Sequence, residues 1–330
     1  MKNVVFCTEA SEKIGFGHFM ECLGIATKLS DNKIKISFLI NDNRSAVRFL
    51  SKLCLPYQVY SDFSEIDPLL KMNNFSKCIT NLRSIPFDLM KKIKQQRIKS
   101  IIIDELGNKP IIADVLINGA VVEKWYKYFY PEKKPKTYFG PKYMALGERF
   151  LKYHNKEKKI TGTFLVSMGG VDRSGTTLKL VNALKIFSEI KKKIVIGPGF
   201  YHKKELHEIE TKLDKSFELL YDVNGLSDLI YESDIVFSAG GNTLHEASCI
   251  GTPAIVLWED RHEEEQAEWF AKKGAAINLG SGIDIKEEKV IETTDTLLKT
   301  PIRWRKMSGK GKELIDGKGT ERIVNIINQL

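Results

Sequence analysis

The sequence predicts an α/β protein built from two Rossmann-like, doubly wound domains that face a central cleft. Three observations lead there. Short apolar runs alternate with segments of helical period from the first residues onward, the pattern of a parallel sheet covered on both faces. The alternation stops at the polar stretch 152–160, KYHNKEKKI, and then restarts. Glycine turns stand at four strand ends: Gly15-Phe16-Gly17, Gly169-Gly170, Gly197-Pro198-Gly199 and Gly240-Gly241. The domains are therefore expected at 1–152 and 160–305, followed by a segment 306–330 whose helix, 321–327, packs back on the first domain. Doubly wound domains take ligands at the carboxyl ends of their strands, so the cleft is the expected site.

In the first half, residues 2–7 read as a strand and 8–17 as a loop of small residues. A helix follows over 18–29, with Met20, Leu23, Ala26 and Thr27 at helical spacing. Strands are expected at 34–40, 57–60, 100–104 and 115–118, and helices at 45–53 and 87–96. In the second half, strands are expected at 163–167, 193–196 and 217–220. A helix starts at Ser174 or Thr176 and ends near 190, and another covers 226–232. The stretch 238–266, SAGGNTLHEASCIGTPAIVLWEDRHEEEQ preceded by a buried strand, reads as strand, glycine turn, helix, strand. Asn242 or Thr243 is the expected helix cap; Gly251 ends the helix and Pro253 blocks its continuation. The glycines Gly240 and Gly241 let the backbone approach a ligand closely. The helix start behind them offers unpaired N–H groups and a positive dipole end, which suit a phosphate. Glu246, one turn in, could accept two ribose hydroxyls.

Composition narrows the function. The chain has 330 residues, 42% hydrophobic and 28% charged, which are globular values. No apolar run approaches a membrane span and no signal peptide is expected before Val4. The cysteines Cys7, Cys22, Cys54, Cys78 and Cys249 are scattered without paired spacing, which points to reduced thiols, a cytoplasmic setting and no structural zinc. The net charge of +9 comes from short lysine runs without interleaved aromatics, so solvated faces are expected rather than a nucleic-acid footprint. That charge still favours a polyanionic small ligand or mild peripheral contact with a membrane surface. No GxGxxG fingerprint is complete and no Walker motif occurs, so no cofactor is expected.

His18 is the most informative single residue. It follows Ile14-Gly15-Phe16-Gly17 at a helix start, where a neutral imidazole can take a proton at pH 7. A histidine that merely caps its helix or hydrogen-bonds a loop carbonyl is the competing explanation on spacing alone. His245-Glu246 resembles the start of a zinc-protease helix, but Cys249 stands where the second histidine is needed, so no metal site is expected. His262 lies in the charge run 259–265 and is expected in solvent.

The segment ASEKIGFGHFMEC, 10–22, resembles the N-terminal signature of the UDP-sugar hydrolases of pseudaminic acid biosynthesis. Further matches fall in family order: IIID at 101–104, FGPKY at 139–143, VSMGGVD at 166–172, Gly197-Pro198, SAGGNTLHEA at 238–247, Gln266, and DGKGTERI at 316–323. The second half alone also resembles the broader class of two-domain nucleotide-sugar glycosyltransferases. The resemblance implies that His18 activates a water that attacks the anomeric carbon of a UDP-linked, deoxy-diacetamido hexose. It implies a sugar side built from Ser11, Gly15, Gly17, Asp104, Asn118 and Tyr143. The nucleotide side would use Gly169, Gly170, Gly197, Pro198, Phe200, Gly240, Gly241, Asn242, Thr243, Glu246 and Gln266, without a metal. The departures lie in the first half. CTEAS, 7–11, replaces an Arg-x-Asp-Ala-Ser pattern; Glu21 replaces an arginine and Leu106 a tyrosine; Ala120 replaces an asparagine and Gly147 an arginine. A UDP-like donor therefore follows more directly than the usual sugar. A glycosyltransferase, in which His18 deprotonates an acceptor hydroxyl, is the second reading, and a non-catalytic nucleotide-sugar binder the third.

Overall fold

A computed structural model describes residues 3–11, 14–30, 34–221, 223 and 225–330. Lys2 of the first expected strand, and Glu12 and Lys13 of the first glycine loop, lie outside the described residues. The chain divides into two compact units, Met1–Glu148 with Gly317–Leu330, and Arg149–Asp316.

The first unit is a seven-stranded parallel sheet of β1 (Asn3–Thr8), β2 (Lys35–Asn41), β3 (Tyr57–Tyr60), β4 (Lys77–Asn81), β5 (Lys99–Ile103), β6 (Val115–Asn118) and β7 (Lys136–Phe139). Its order is β3-β2-β1-β4-β5-β6-β7. The direction of the connections reverses between β1 and β4, which opens a crevice at the carboxyl ends of those two strands. The helices α1 (Gly17–Ser30), α2 (Arg44–Lys52), α3 (Ile66–Met72) and α4 (Phe87–Gln95) join them. The central strands are near-continuous apolar runs because both faces are covered. On one face Phe6 stacks on Phe38 at 5.2 Å between ring centroids, with Phe19 and Ile25 of α1 packed over them. On the other, Val5 and Leu39 meet Leu70, Leu89 and Ile93. Each such buried side chain contributes about 1.5–3 kcal/mol.

The second unit opens with α5 (Glu148–His154) and is a six-stranded parallel sheet of β8 (Thr163–Ser167), β9 (Lys191–Ile196), β10 (Phe217–Tyr221), β11 (Ile235–Ser238), β12 (Ala254–Trp258) and β13 (Ala276–Ser281), in the order β10-β9-β8-β11-β12-β13. This repeats the first sheet's plan, with the reversal between β8 and β11. The helices are α6 (Thr176–Leu184), α7 (Lys203–Glu210), α8 (Ser227–Tyr231), α9 (Asn242–Ile250), α10 (Arg261–Lys272), α11 (Glu287–Leu298) and α12 (Pro301–Leu314). The final helix, α13 (Gly319–Gln329), belongs to the first unit. There Ile323 and Ile327 enter the core beside α1, and buried Lys77 places its ammonium on the Ile327 carbonyl at the α13 C-terminus.

Three differences from the sequence reading have physical causes. The expected linker begins inside α5, because Phe150 is buried and Tyr153 stacks on Tyr231 at 4.4 Å, so its start is packed rather than free. The glycine- and lysine-rich 301–314 is a full helix, α12. A Cβ on Gly311 would lie 2.9 Å from the Ser248 carbonyl oxygen, so that glycine lets α12 approach α9 rather than breaking the helix. Strand β4 has no readable alternation, because Lys77 and Asn81 at its ends are both buried polar residues. No helix among the described residues is long and apolar enough to cross a membrane.

Candidate active site

In the first unit, the loop after β1 is closed by a short bridge. Ser11 N–H donates to the Gly15 carbonyl at 3.2 Å and Gly15 N–H to the Ser11 carbonyl at 2.8 Å. Gly15 sits at φ +80°, a conformation that favours glycine. Asn41 clamps Ala10 from both sides, through Ala10 N–H to Oδ1 at 2.8 Å and Nδ2 to the Ala10 carbonyl at 2.9 Å. The loop delivers Gly17 and His18 to the first turn of α1, beside the point where the connections reverse.

The neighbour across that crevice is Asn81, the last residue of β4. His18 Nδ1 lies 2.8 Å from Asn81 Oδ1, and Asn81 Nδ2 donates to Glu21 Oε2 at 2.9 Å. An amide oxygen only accepts, so Nδ1 carries the hydrogen in this contact, and the neutral ring then has its lone pair on Nε2. His18 is therefore not a simple helix cap; its ring is held by a side chain from another strand. Glu105, just beyond β5, shares a hydrogen bond with Glu21. Burial above all, then the charge of Glu21, push the Glu105 carboxyl well above the usual range, while His18 opposes the shift. The spacing of the sequence identified His18 but neither Asn81 nor Glu105. Asn81 ends an unrecognised strand, and Glu105 looks like any loop carboxylate.

The other expected sugar-side residues are largely engaged within the unit. Asp104 pairs with Lys109 and accepts from Tyr128 Oη at 2.7 Å and Gly107 N–H at 2.8 Å. Asn118 donates to Tyr128 Oη at 2.6 Å and accepts from Ala120 N–H at 2.9 Å. Both therefore build the loops after β5 and β6, with Tyr128 as a partner that sequence reading missed. Tyr143 packs edge-on against Tyr138 at 5.5 Å between centroids.

In the second unit, two glycine turns interlock. Gly199 N–H donates to the Gly170 carbonyl at 2.8 Å, and a Cβ on Gly197 would lie 2.5 Å from the Gly169 oxygen. Replacing Gly197 by Ala must part these turns, at a cost of about 1–2 kcal/mol, readable as a lower urea midpoint for the second unit. Pro198 lies between those glycines. Phe200 is buried in the core, so its ring is a packing element and only its backbone is available to a ligand.

The third turn follows β11. Gly240 sits at φ +104° and Gly241 is the helix cap of α9, in place of the expected Asn242 or Thr243. No side chain caps this start, and the positive dipole end of such a helix suits an anion. Gly251 ends α9 at φ +81°, as its sequence position implies. Glu246 is half-buried one turn in, its carboxyl pushed up to about 7 by burial. Gln266 is buried on α10 and donates to His262 Nδ1 at 3.2 Å, which places His262 in a packed pair rather than in solvent. His245 is a core residue, edge-on to Phe270 at 5.1 Å between centroids and pushed down to about 4 by burial.

Glu263, in the first turn of α10, packs its backbone and Cβ against Gly240. Burial, opposed by hydrogen bonds from backbone N–H groups, pushes its carboxyl up to about 8. A raised carboxyl favours the fold fully below its unfolded value of about 4.3 and loses that contribution as pH rises toward 8. Glu263→Gln should therefore gain stability over the wild type progressively from pH 5 to 8, by about 1–2 kcal/mol after allowance for solvent screening, and level off above. Urea titrations across that range test it.

Residues 176–322 match the family model "Glycosyltransferase family 28 C-terminal domain". The chain is 28% identical to the spore coat polysaccharide biosynthesis protein SpsG of Bacillus subtilis, over 99% of this chain and 97% of that one. It is 27% identical to the UDP-2,4-diacetamido-2,4,6-trideoxy-beta-L-altropyranose hydrolase of Campylobacter jejuni, over 83% of this chain and 98% of that one. Among solved structures it is similar to MurG of Acinetobacter baumannii, with a TM-score of 0.68 at 14% identity and full coverage of both chains. Two parallel-sheet units with these similarities give the chain a GT-B fold whose second half is similar to a glycosyltransferase domain.

Proposed function

We propose that this protein is a nucleotide-sugar hydrolase that releases UDP from a UDP-linked hexose in surface-glycan biosynthesis. The observation that carries the proposal is His18, whose Nδ1 is bound to Asn81 and whose Nε2 is left to accept a proton. Water attacks the anomeric carbon as Nε2 takes its proton; the bond from that carbon to the phosphate oxygen breaks and the diphosphate leaves with the electron pair, inverting the centre. The α9 start, with Gly240, Gly241, Asn242 and Thr243, holds the diphosphate, and Glu246 the ribose. Support also comes from the similarity to the Campylobacter jejuni hydrolase and from the IGFGH motif. The sugar class follows that relative: a deoxy-diacetamido hexose.

The family-model match over 176–322 favours a second reading, a glycosyltransferase in which an acceptor hydroxyl replaces water. Incubation with UDP-sugars separates the two. Release of UDP without any acceptor supports the hydrolase; release only after a glycan acceptor is added supports the transferase. UDP itself is expected to bind without added magnesium, as titration calorimetry in chelator would read.

A further inference from the structure

The position of Glu21 calls for a role. It lies on α1 one turn after His18 and is only 5% exposed. Its carboxyl accepts from Asn81 Nδ2 at 2.9 Å, and Asn81 is itself fully buried at the end of β4. An asparagine amide has two ends of opposite polarity. With Oδ1 toward His18, the ring must carry its hydrogen on Nδ1. Turned over, the amide would donate to Nδ1 and leave the hydrogen on Nε2, where no proton can be accepted. The turned amide would also set Oδ1 against the Glu21 carboxyl, acceptor against acceptor.

We infer that Glu21 is a positioning residue for His18: by fixing the Asn81 amide it selects the ring tautomer whose Nε2 is free to take the proton. This deepens the proposed function and rests on His18 being the base there. The direction of every hydrogen bond in the relay agrees. His18 Nδ1–H donates to Asn81, Asn81 donates to Glu21, and Glu105 completes the other side of Glu21. Burial above all pushes the Glu105 carboxyl up, and it shares a hydrogen bond with Glu21. Asp104 is engaged by Lys109 and Tyr128, and Cys22 hydrogen-bonds Asn81, its thiol pushed up by burial above all.

The test is the tautomer itself, read from ring nitrogen chemical shifts in protein labelled with ¹⁵N-histidine, with His18→Ala used to assign the resonance. The wild type is expected to show hydrogen on Nδ1. Glu21→Leu should move it to Nε2, in whole or in part, and lower kcat at least about tenfold with KM little changed. Glu21→Gln, which keeps an oxygen able to accept from Asn81, should recover the Nδ1–H form and most of the turnover. A wild-type ring protonated on Nε2 overturns the inference, and this reading depends on no Glu21 variant. An unchanged tautomer in a folded Glu21→Leu also overturns it. If the tautomer shifts as expected but His18→Ala turns over normally, the relay stands and the assignment of the base falls.

Discussion

His18→Ala is expected to lower the turnover of a UDP-sugar by a factor of about 10²–10⁴, the usual contribution of a positioned base. Its UDP affinity should stay close to the wild type, because the residues assigned to the nucleotide all belong to the second unit. The contrast between the two readouts carries the information: a folding defect would lower both, a lost base only the first. His18→Asn should not restore turnover, since an amide can keep a hydrogen bond to Asn81 but cannot accept a proton. Retention of most activity in His18→Asn would reduce His18 to substrate positioning. The base would then have to be sought among Glu9, Glu21 and Asp104. Of these, Glu9 accepts the Arg83 N–H at 2.6 Å, and Glu21 and Asp104 are engaged by Asn81 and by Lys109 with Tyr128, which leaves each less suited to the task.

Glu246→Ala is expected to weaken UDP binding by about 1.5–3 kcal/mol, the usual worth of a hydrogen bond to a charged group. Because burial pushes this carboxyl up to about 7 in the free protein, it is part neutral at physiological pH. A ribose diol that donates to it favours the ionised form. UDP affinity should therefore rise as pH increases from 6 to 8, and that rise should vanish in Glu246→Ala. Calorimetry at several pH values reads both effects. Undiminished affinity in the variant removes Glu246 from the nucleotide site.

The architecture was open to sequence reading because parallel sheets advertise themselves. Buried strands such as VVF at 4–6 and IVF at 235–237 are continuous apolar runs, and glycine turns mark where they end. The motifs on those turns were readable for the same reason: a left-handed residue such as Gly240 or Gly15 needs glycine, so the sequence records the geometry directly. What stayed hidden depends on contacts between distant segments. Asn81 lies 63 residues from His18 and ends a strand with polar residues at both ends, so nothing local connects the two. Glu21 read as a departure from a family pattern, and its bond to Asn81 gives it a purpose. Asp104 and Asn118 illustrate the converse. Their motifs suggested sugar contacts, yet their side chains are engaged by Lys109, Tyr128 and the Ala120 N–H. Helix α12 was hidden because glycine lowers helix propensity locally, while the close approach that Gly311 permits against α9 more than offsets it.

Attack of water on the anomeric carbon is read by turnover of a UDP-sugar in ¹⁸O-labelled water, with the released UDP analysed by mass spectrometry. UDP of natural mass is expected, released without any acceptor, because the bond that breaks joins carbon to oxygen and the phosphate keeps its own oxygens. UDP carrying ¹⁸O would place the attack on phosphorus, and failure to release UDP until an acceptor is supplied would make the protein a transferase; either result rules out hydrolysis at the anomeric carbon.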